Sequence, residues 1–472
     1  MQTLKRYTVS LVLALFCLSV SAVTLAEAKA LVTAGDYQRA SVAFRSLLEQ
    51  KAMVNNAGVN KLYGQCLCML GEYEEAIPYL EKGAKGRQNG ALWYLGICKQ
   101  RLYDFEGAIE SLEAYKSSFK SKTTNWIERS DSIIAECEIG SRGLNRVQDV
   151  EIIDSLMVPA LNFFEHYTLG HESGKLRASF ECEGAWRNPE DSSMVVFENL
   201  QQDMRLMCLR DSSGYDANLF MSQQFNGLWS APEKIESLGW EGYDILYPFM
   251  RADGMTIYFA SNVTPGFGGL DIYRTSFNPE TDSYYAPTRL GMPFNSPYND
   301  YMMAIDETNN VGWWATDRGA TEGFVCIYIF KLNEEDVEYV EENNESRARI
   351  ERIADSWKQA NYDALIHDVR HANDPIVVQH KLFIPIREGV VYTSADEFKN
   401  PEARSAYELL VSEQENLAEN EAELEQLRHN YGNANLSAKQ SMRTTILQKE
   451  SLVNELRERV KTLEKKYRNL EN

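Results

Sequence analysis

Residues 244–273 read DILYPFMRADGMTIYFASNVTPGFGGLDIY. Short β-branched and aromatic runs alternate here with Asp, Gly, Asn and Pro, the punctuation of strands and tight turns. Asp253-Gly254 marks a turn between two strands. Ile257 to Ala260 is apolar throughout, as a strand covered on both faces must be. The glycines after Asn262 make a wide loop, and Asp271 starts the next strand. The stretch recurs. Asp271-Ile272-Tyr273 is matched by Cys326-Ile327-Tyr328, 55 residues later, and by Asp216-Ala217-Asn218-Leu219, 55 earlier. Ile257-Tyr258-Phe259-Ala260-Ser261 matches Gly312-Trp313-Trp314-Ala315-Thr316, again at 55. Trp229-Ser230-Ala231-Pro232 matches Tyr284-Tyr285-Ala286-Pro287 at the same spacing.

A period of about 50 residues suits a unit of four antiparallel strands. The best-kept unit carries Asp244, Tyr247-Pro248, Asp253-Gly254, Gly266, Gly268-Gly269 and Asp271-Ile272-Tyr273. It is similar to the WD40-like repeat of TolB-type β-propellers. That resemblance implies a propeller-like domain of 4–6 blades, or an incomplete one, since only three units are readable. The third unit has Asp306-Glu307 in place of Asp-Gly and Cys326 in place of Asp271, and the first lacks the Pro and the Gly cluster. Val150 to Val158 and Lys381 to Ser394 are expected to supply further strands that help close the domain. Between them, Glu342 to Val369 reads as helical.

Upstream, a different repeat governs. Gly35-Asp36-Tyr37-Gln38-Arg39-Ala40 aligns with Gly71-Glu72-Tyr73-Glu74-Glu75-Ala76 and with Tyr103-Asp104-Phe105-Glu106-Gly107-Ala108. The alanines are 36 and 32 residues apart, and Phe44, Leu80 and Leu112 follow each by four. Gly64 and Gly96 precede their alanines by twelve. These offsets resemble tetratricopeptide (TPR) repeats, which are pairs of antiparallel helices. Small Gly64 and Ala76 are expected where the two helices approach closest. Trp126 to Ile139 reads as a capping helix, with Trp126, Ile127, Ile133, Ile134 and Cys137 as its apolar set. The resemblance implies a groove that binds peptides or proteins.

Residues 402–470 follow a third rule. Leu410, Leu417, Leu424 and Tyr431 recur by seven, as do Ile446, Val453, Val460 and Tyr467, with Leu456, Leu463 and Leu470 between. Gly432-Asn433-Ala434-Asn435 interrupts the pattern, and Ser437-x-x-Gln440 reads as a capping box. Glu402 to Arg428 holds eight Glu and two Arg, net −6; Lys439 to Arg468 holds nine basic residues and four Glu, net +5. Opposed charges on arms joined by a short turn predict an intrachain antiparallel hairpin over a homodimer.

The fold expectation is therefore a multidomain α and β chain: a TPR α-solenoid, a β-propeller-like domain, and a C-terminal antiparallel helical hairpin (coiled coil). The expected segments are a signal peptide at 1–22, helical repeats at 23–145, sheet repeats at 146–335, a linker with returning strands at 336–400, and the hairpin at 401–472. The signal reading rests on Lys5 and Arg6 before an apolar run from Val9 to Val20, closed by Val20-Ser21-Ala22. About 20 apolar residues are needed to span a membrane, and this run is shorter. Cys17 raises lipidation, but Phe16 stands where a lipobox needs a small residue. No later stretch reads as membrane-spanning.

The chain of 472 residues carries a formal charge of −21, which repels phosphate backbones and argues against nucleic acid as a partner. Cys66, Cys68, Cys98, Cys137, Cys182, Cys208 and Cys326 remain beyond the signal segment. Their number is odd and no C-x-x-C is present, so they read as buried apolar residues.

The pattern carries no motif that reads as a reaction centre. His367 and His371 stand at i, i+4, but H-E-x-x-H is absent and they read as a surface pair. The acidic run from Glu334 to Glu345 reads as a solvated helix face. Gly266-Phe267-Gly268-Gly269-Leu270-Asp271 lacks the last glycine of a dinucleotide loop and precedes a strand, so the turn reading is preferred. No G-x-S-x-G is present. Asp244, Asp271 and Asp300 invite a glycosidase reading, but Asp244 and Asp300 recur at nearly the same point of adjacent units, and repeated acids read as turn caps. The chain is expected to be non-enzymatic, without cofactor or metal. Trp186, Trp240 and Phe267 in loops suit peptide or glycan contact. Tyr63, Trp93, Lys99, Trp240 and Phe267 form the candidate partner-binding surface. Helical repeats with a TolB-like domain after a signal segment resemble exported envelope proteins of Gram-negative bacteria. The implied role is a periplasmic, outer-membrane-associated scaffold, a monomer or a complex subunit that holds other envelope proteins or peptides. A glycan-binding or glycan-processing protein is the alternative.

Overall fold

The computed structural model describes residues 24–119, 125–161, 163–179, 195–210, 216–225, 227–238, 240–332, 344–350, 384–387, 390–392, 394–433 and 436–471. The segment 1–22, Cys182, Trp186, residues 334–342 of the acidic run, residues 351–369 of the expected helical stretch and the His367/His371 pair lie outside them. The chain divides into two compact units, Met1–Ser141 and Arg142–Asn472.

The first unit is helical. Its helices are α1 (Leu25–Thr33), α2 (Tyr37–Leu48), α3 (Ala57–Met69), α4 (Tyr73–Lys85), α5 (Gly90–Arg101), α6 (Phe105–Ser117) and α7 (Asn125–Leu144). Short polar side chains start them. Asp36, Asn56 and Asp104 each accept the backbone N–H three residues on, at 3.0–3.1 Å. Gly35 and Gly71 sit at positive φ, and Tyr103 holds the same left-handed position in the third repeat at φ 64. Helices meet where the small residues stand. A Cβ on Gly64 would lie 2.6 Å from Leu80 Cγ, and one on Gly96 would lie 2.6 Å from Leu112 Cγ. Leu80 and Leu112 are fully buried, so neither can withdraw. Gly96→Ala is therefore expected to destabilise this unit by about 1–2 kcal/mol, overpacking outweighing the better helix propensity of Ala. Urea unfolding followed by circular dichroism reads it as a lowered midpoint. The apolar set expected on α7 is only partly correct. Ile134 and Cys137 are buried, whereas Trp126 is 43 % exposed. Trp126 lies near the N-terminus of its helix and meets Trp93 edge-on at 5.2 Å.

The second unit is led by strand β1 (Ile152–Pro159). A first sheet holds β2 (Lys175–Ala178), β3 (Val195–Glu198), β4 (Met204–Arg210) and β5 (Ala217–Phe225), with short β6 (Leu228–Trp229) and β7 (Glu233–Lys234) on β5. A second holds β8 (Ile245–Met250), β9 (Thr256–Ser261), β10 (Asp271–Asn278), β11 (Ser283–Tyr284) and β12 (Thr288–Arg289). The third holds β13 (Asp300–Asp306), β14 (Val311–Thr316) and β15 (Phe324–Lys331), and β1 returns to pair antiparallel with β15. All pairings are antiparallel, and among the described residues the sheets form no closed barrel.

The 55-residue period is carried by the backbone as well as the letters. The first strands of the second and third sheets bulge at matching places, between Leu246 and Phe249 and between Tyr301 and Ala304. Within each bulge one non-glycine residue is left-handed, Tyr247 at φ 55 and Met302 at φ 53. A side-chain clasp repeats too. Asp244 N donates to Asn262 Oδ1 at 2.8 Å, and Asn299 N donates to Asp317 Oδ1 at 2.8 Å. Asp244 Oδ1 accepts Ala217 N from the first sheet, and Asn299 Oδ1 accepts Leu270 N from the second. Asp244 thus corresponds to Asn299, one residue before the Asp300 with which the letters pair it.

Beyond the sheets come α8 (Asn344–Arg349), the strands β16 (Ile384–Arg387) and β17 (Val390–Tyr392), and two long helices, α9 (Pro401–Asn433) and α10 (Leu436–Glu471). The helices run antiparallel, with Arg459–Glu413 (3.1 Å) and Arg428–Glu450 (2.7 Å) bridging them and Lys449 meeting Glu423. Leu410, Leu417, Leu424, Val453, Leu456, Val460 and Tyr467 fill the seam. One expectation is overturned. Among the described residues, the strands within 381–394 do not join the larger sheets; β16 and β17 pair with each other. Ile384 and Ile386 are buried against the helical seam, which offers an apolar surface to the one apolar face of β16.

Candidate functional site

The acids that invited a catalytic reading are occupied by structural work. Asp271 is 1 % exposed, lies 3.2 Å from Arg289 Nε and accepts Phe267 N at 2.7 Å. Asp300 is fully buried, accepts Ser296 Oγ at 2.5 Å and faces Arg318 at 3.4 Å. Burial pushes the Asp271 carboxyl up to about 7 and that of Asp300 up to about 6, with Arg289 and Arg318 each pulling the other way. Asp244 holds Arg210 at 3.1 Å and its clasp. The glycine loop beside Asp271 is a packing cradle. A Cβ on Gly268 would lie 2.0 Å from Tyr298 O, and one on Gly269 would lie 2.3 Å from Asn299 Oδ1.

The candidate surface residues scatter. Tyr63 is 1 % exposed; its hydroxyl accepts Arg45 Nε at 3.0 Å and donates to Glu75 Oε1 at 3.1 Å. It is a core residue and offers no ring to a partner. Phe267 is 7 % exposed, packed toward Gly143 with Arg289 over its ring, so the exposed-loop expectation fails there. The loop folds inward because its glycines let it sit flush on residues 296–299. Trp240 is half-buried against Phe259 and Tyr273. Lys99 donates to Gly107 O at 3.3 Å. Trp93 is half-buried, with Tyr115 and Trp126 beside it. Lys61 and Tyr94, which the letters did not single out, meet each other from the first helices of successive pairs. Lys61 Nζ lies 5.4 Å above the Tyr94 ring and donates to Gln65 Oε1 at 2.7 Å.

The second unit holds a cavity of about 510 Å³ between the sheets and the hairpin, within the usual size for a small-molecule site. Phe197, Met221 and Gln223 line it from the first sheet, and Tyr407, Gln414 and Glu464 line it from α9 and α10. The hairpin is held over it by charge. Arg468 Nη1 lies 3.2 Å from Asp282 Oδ1 with its guanidinium over Phe277 at 4.7 Å, Lys465 lies 3.6 Å from Asp282, and Arg457 lies 3.7 Å from Glu233.

Among the described residues no group of His, Cys, Asp and Glu is arranged to hold a metal ion, and no helix is long and apolar enough to cross a membrane. Cys66, Cys68, Cys98, Cys137, Cys208 and Cys326 are buried free thiols, and burial pushes Cys66 up to about 11. Comparison with known proteins returned no matching family model, no matching curated protein and no matching solved structure.

Proposed function

We propose that this chain is a non-catalytic scaffold of the bacterial cell envelope that holds protein or peptide partners on its repeat surfaces. In this reading the helical unit is a short TPR-like solenoid, and the three sheets are blades of an incomplete propeller. The contact region in this reading is the stretch of helix surface that carries Lys61 and Tyr94, with Trp93 next in the chain.

The observation that carries the reading is the use of the acids. Asp244, Asp271 and Asp300 each tie loops or neighbouring sheets, and the tie at Asp244 is repeated at Asn299. Repeated structural ties favour a platform, since a reaction centre needs its acids in unequal roles. The apolar run of 9–20 after Lys5 and Arg6 supports export.

The test is chemical crosslinking in envelope fractions with mass-spectrometric identification, comparing the native chain with a Lys61→Glu/Trp93→Ala variant. The expected result is a small reproducible set of envelope partners that the variant loses while keeping its helix content. Recovery of the same set by both forms, or of none by either, overturns it.

A further inference from the structure

We propose that the cavity between the sheets and the hairpin is a binding site for a small organic ammonium ion, with Glu464 as its counter-ion and the amide oxygen of Gln223 as a hydrogen-bond acceptor. This inference is independent of the scaffold reading.

The argument starts from which lining charges are already matched. Arg251 is paired with Glu307 at 2.7 Å and Arg468 with Asp282 at 3.2 Å. Among the described residues no cation lies within salt-bridge distance of Glu464, although Arg468 and Lys461 of the same helix act on it from farther away. It accepts a long hydrogen bond from Gln414 Nε2, at 3.4 Å. The lining also carries Glu172 and Asp203, which accept from Thr308 and Asn199. Each lining arginine thus has an acidic partner, and the lining carboxylates Glu172, Asp203 and Glu464 outnumber the lining arginines. Gln414 is 8 % exposed, and its amide stands 3.5 Å from Gln223 Oε1 and 3.4 Å from Glu464, at the outer limit of a hydrogen bond. An ammonium group seated here would donate to the Glu464 carboxylate and to Gln223 Oε1, the two acceptors that Gln414 Nε2 now reaches at long distance. Phe197, Tyr407 and Tyr467 line the same space and offer aromatic surface to a cation or to an attached apolar body.

Electrostatics points the same way. Burial pushes the Glu464 carboxyl up to about 7; Arg468 pulls it down, Asp282 and Glu233 push it further up, and Lys461 pulls it down. These groups face Glu464 from its own helix, from the turn after β10 and from β7. A cation binds the ionised form only. Its apparent affinity then follows the fraction ionised and rises roughly tenfold from about pH 6 to about pH 8.

Isothermal titration of the full chain with benzylammonium, against benzyl alcohol and glucose, tests this. The expected result is binding of benzylammonium alone, strengthening roughly tenfold over that pH interval, and weakened by at least about tenfold in Glu464→Gln. Equal binding of benzyl alcohol, binding of glucose alone, an unchanged Glu464→Gln, a flat pH profile or no binding would each overturn the proposal. The pH profile of the native chain decides the matter if the variant fails to fold.

Discussion

Gly268→Ala will destabilise the sheet unit by about 3 kcal/mol or more, although it adds one methyl group. The added Cβ would meet Tyr298 O at 2.0 Å, Ser296 O at 2.7 Å and the Pro297 carbonyl carbon at 2.9 Å. These are backbone atoms, so no side chain can rotate away. The segment they belong to is fixed at both ends. Asn295 bonds Ile272 N and O, and Asn299 is held by Asp317. Relief requires the second and third sheets to part. Gly291→Ala is the control, since its Cβ meets only Gln148 Nε2 at 3.4 Å and Arg146 O at 3.8 Å. Urea unfolding followed by tryptophan fluorescence should separate the two variants clearly. Equal midpoints would show that the loop is not packed as described.

Arg318→Met has the second large effect, and its size depends on pH. Arg318 donates to Pro293 O and Ala348 O at 3.0 Å each and faces Asp300 at 3.4 Å, all buried. Removing it strands a carboxylate without its cation, which costs about 3–5 kcal/mol. The Asp300 carboxyl already sits above its ordinary range, at about 6. A group raised in the folded state favours folding at low pH, and that contribution fades as pH climbs through the folded value. Without Arg318 the carboxyl rises further. The loss is therefore expected to be smaller near pH 5, where the two lost carbonyl bonds make up most of it, and near its full size at pH 8. Denaturation at the two pH values measures it; a loss independent of pH would show that Asp300 is not the group left exposed to the penalty.

Much of the architecture was legible because backbone requirements recur as letters. Gly64 and Gly96 mark helix approaches that only a missing side chain permits. The turn residues near Asp253 and the Asp271 strand start recur because each sheet repeats the same chain path. The left-handed positions were not legible, because Tyr247 and Met302 are ordinary residues forced there by a bulge. The partner of β1 lies far along the chain, and local pattern alone only suggests such a pairing. The returning strands at 384–392 carry an apolar face that fits either a sheet edge or a helical seam, and nothing local decides between them. Phe267 was misread because a glycine-rich loop looks exposed until its backbone is seen lying flush on 296–299. Glu464 stands four residues after Val460, beside the heptad seam. In sequence it matches the other glutamates of the hairpin, and only the sheet edge facing it makes it a lining residue.

The most direct test of the scaffold reading is site-specific photocrosslinking in living cells. A benzophenone amino acid replaces Tyr94 in one strain and exposed Lys82, on a second helix of a pair, in another. The account predicts discrete crosslinked products from position 94 and none from position 82. No product from position 94, or the same products from both positions, would contradict it.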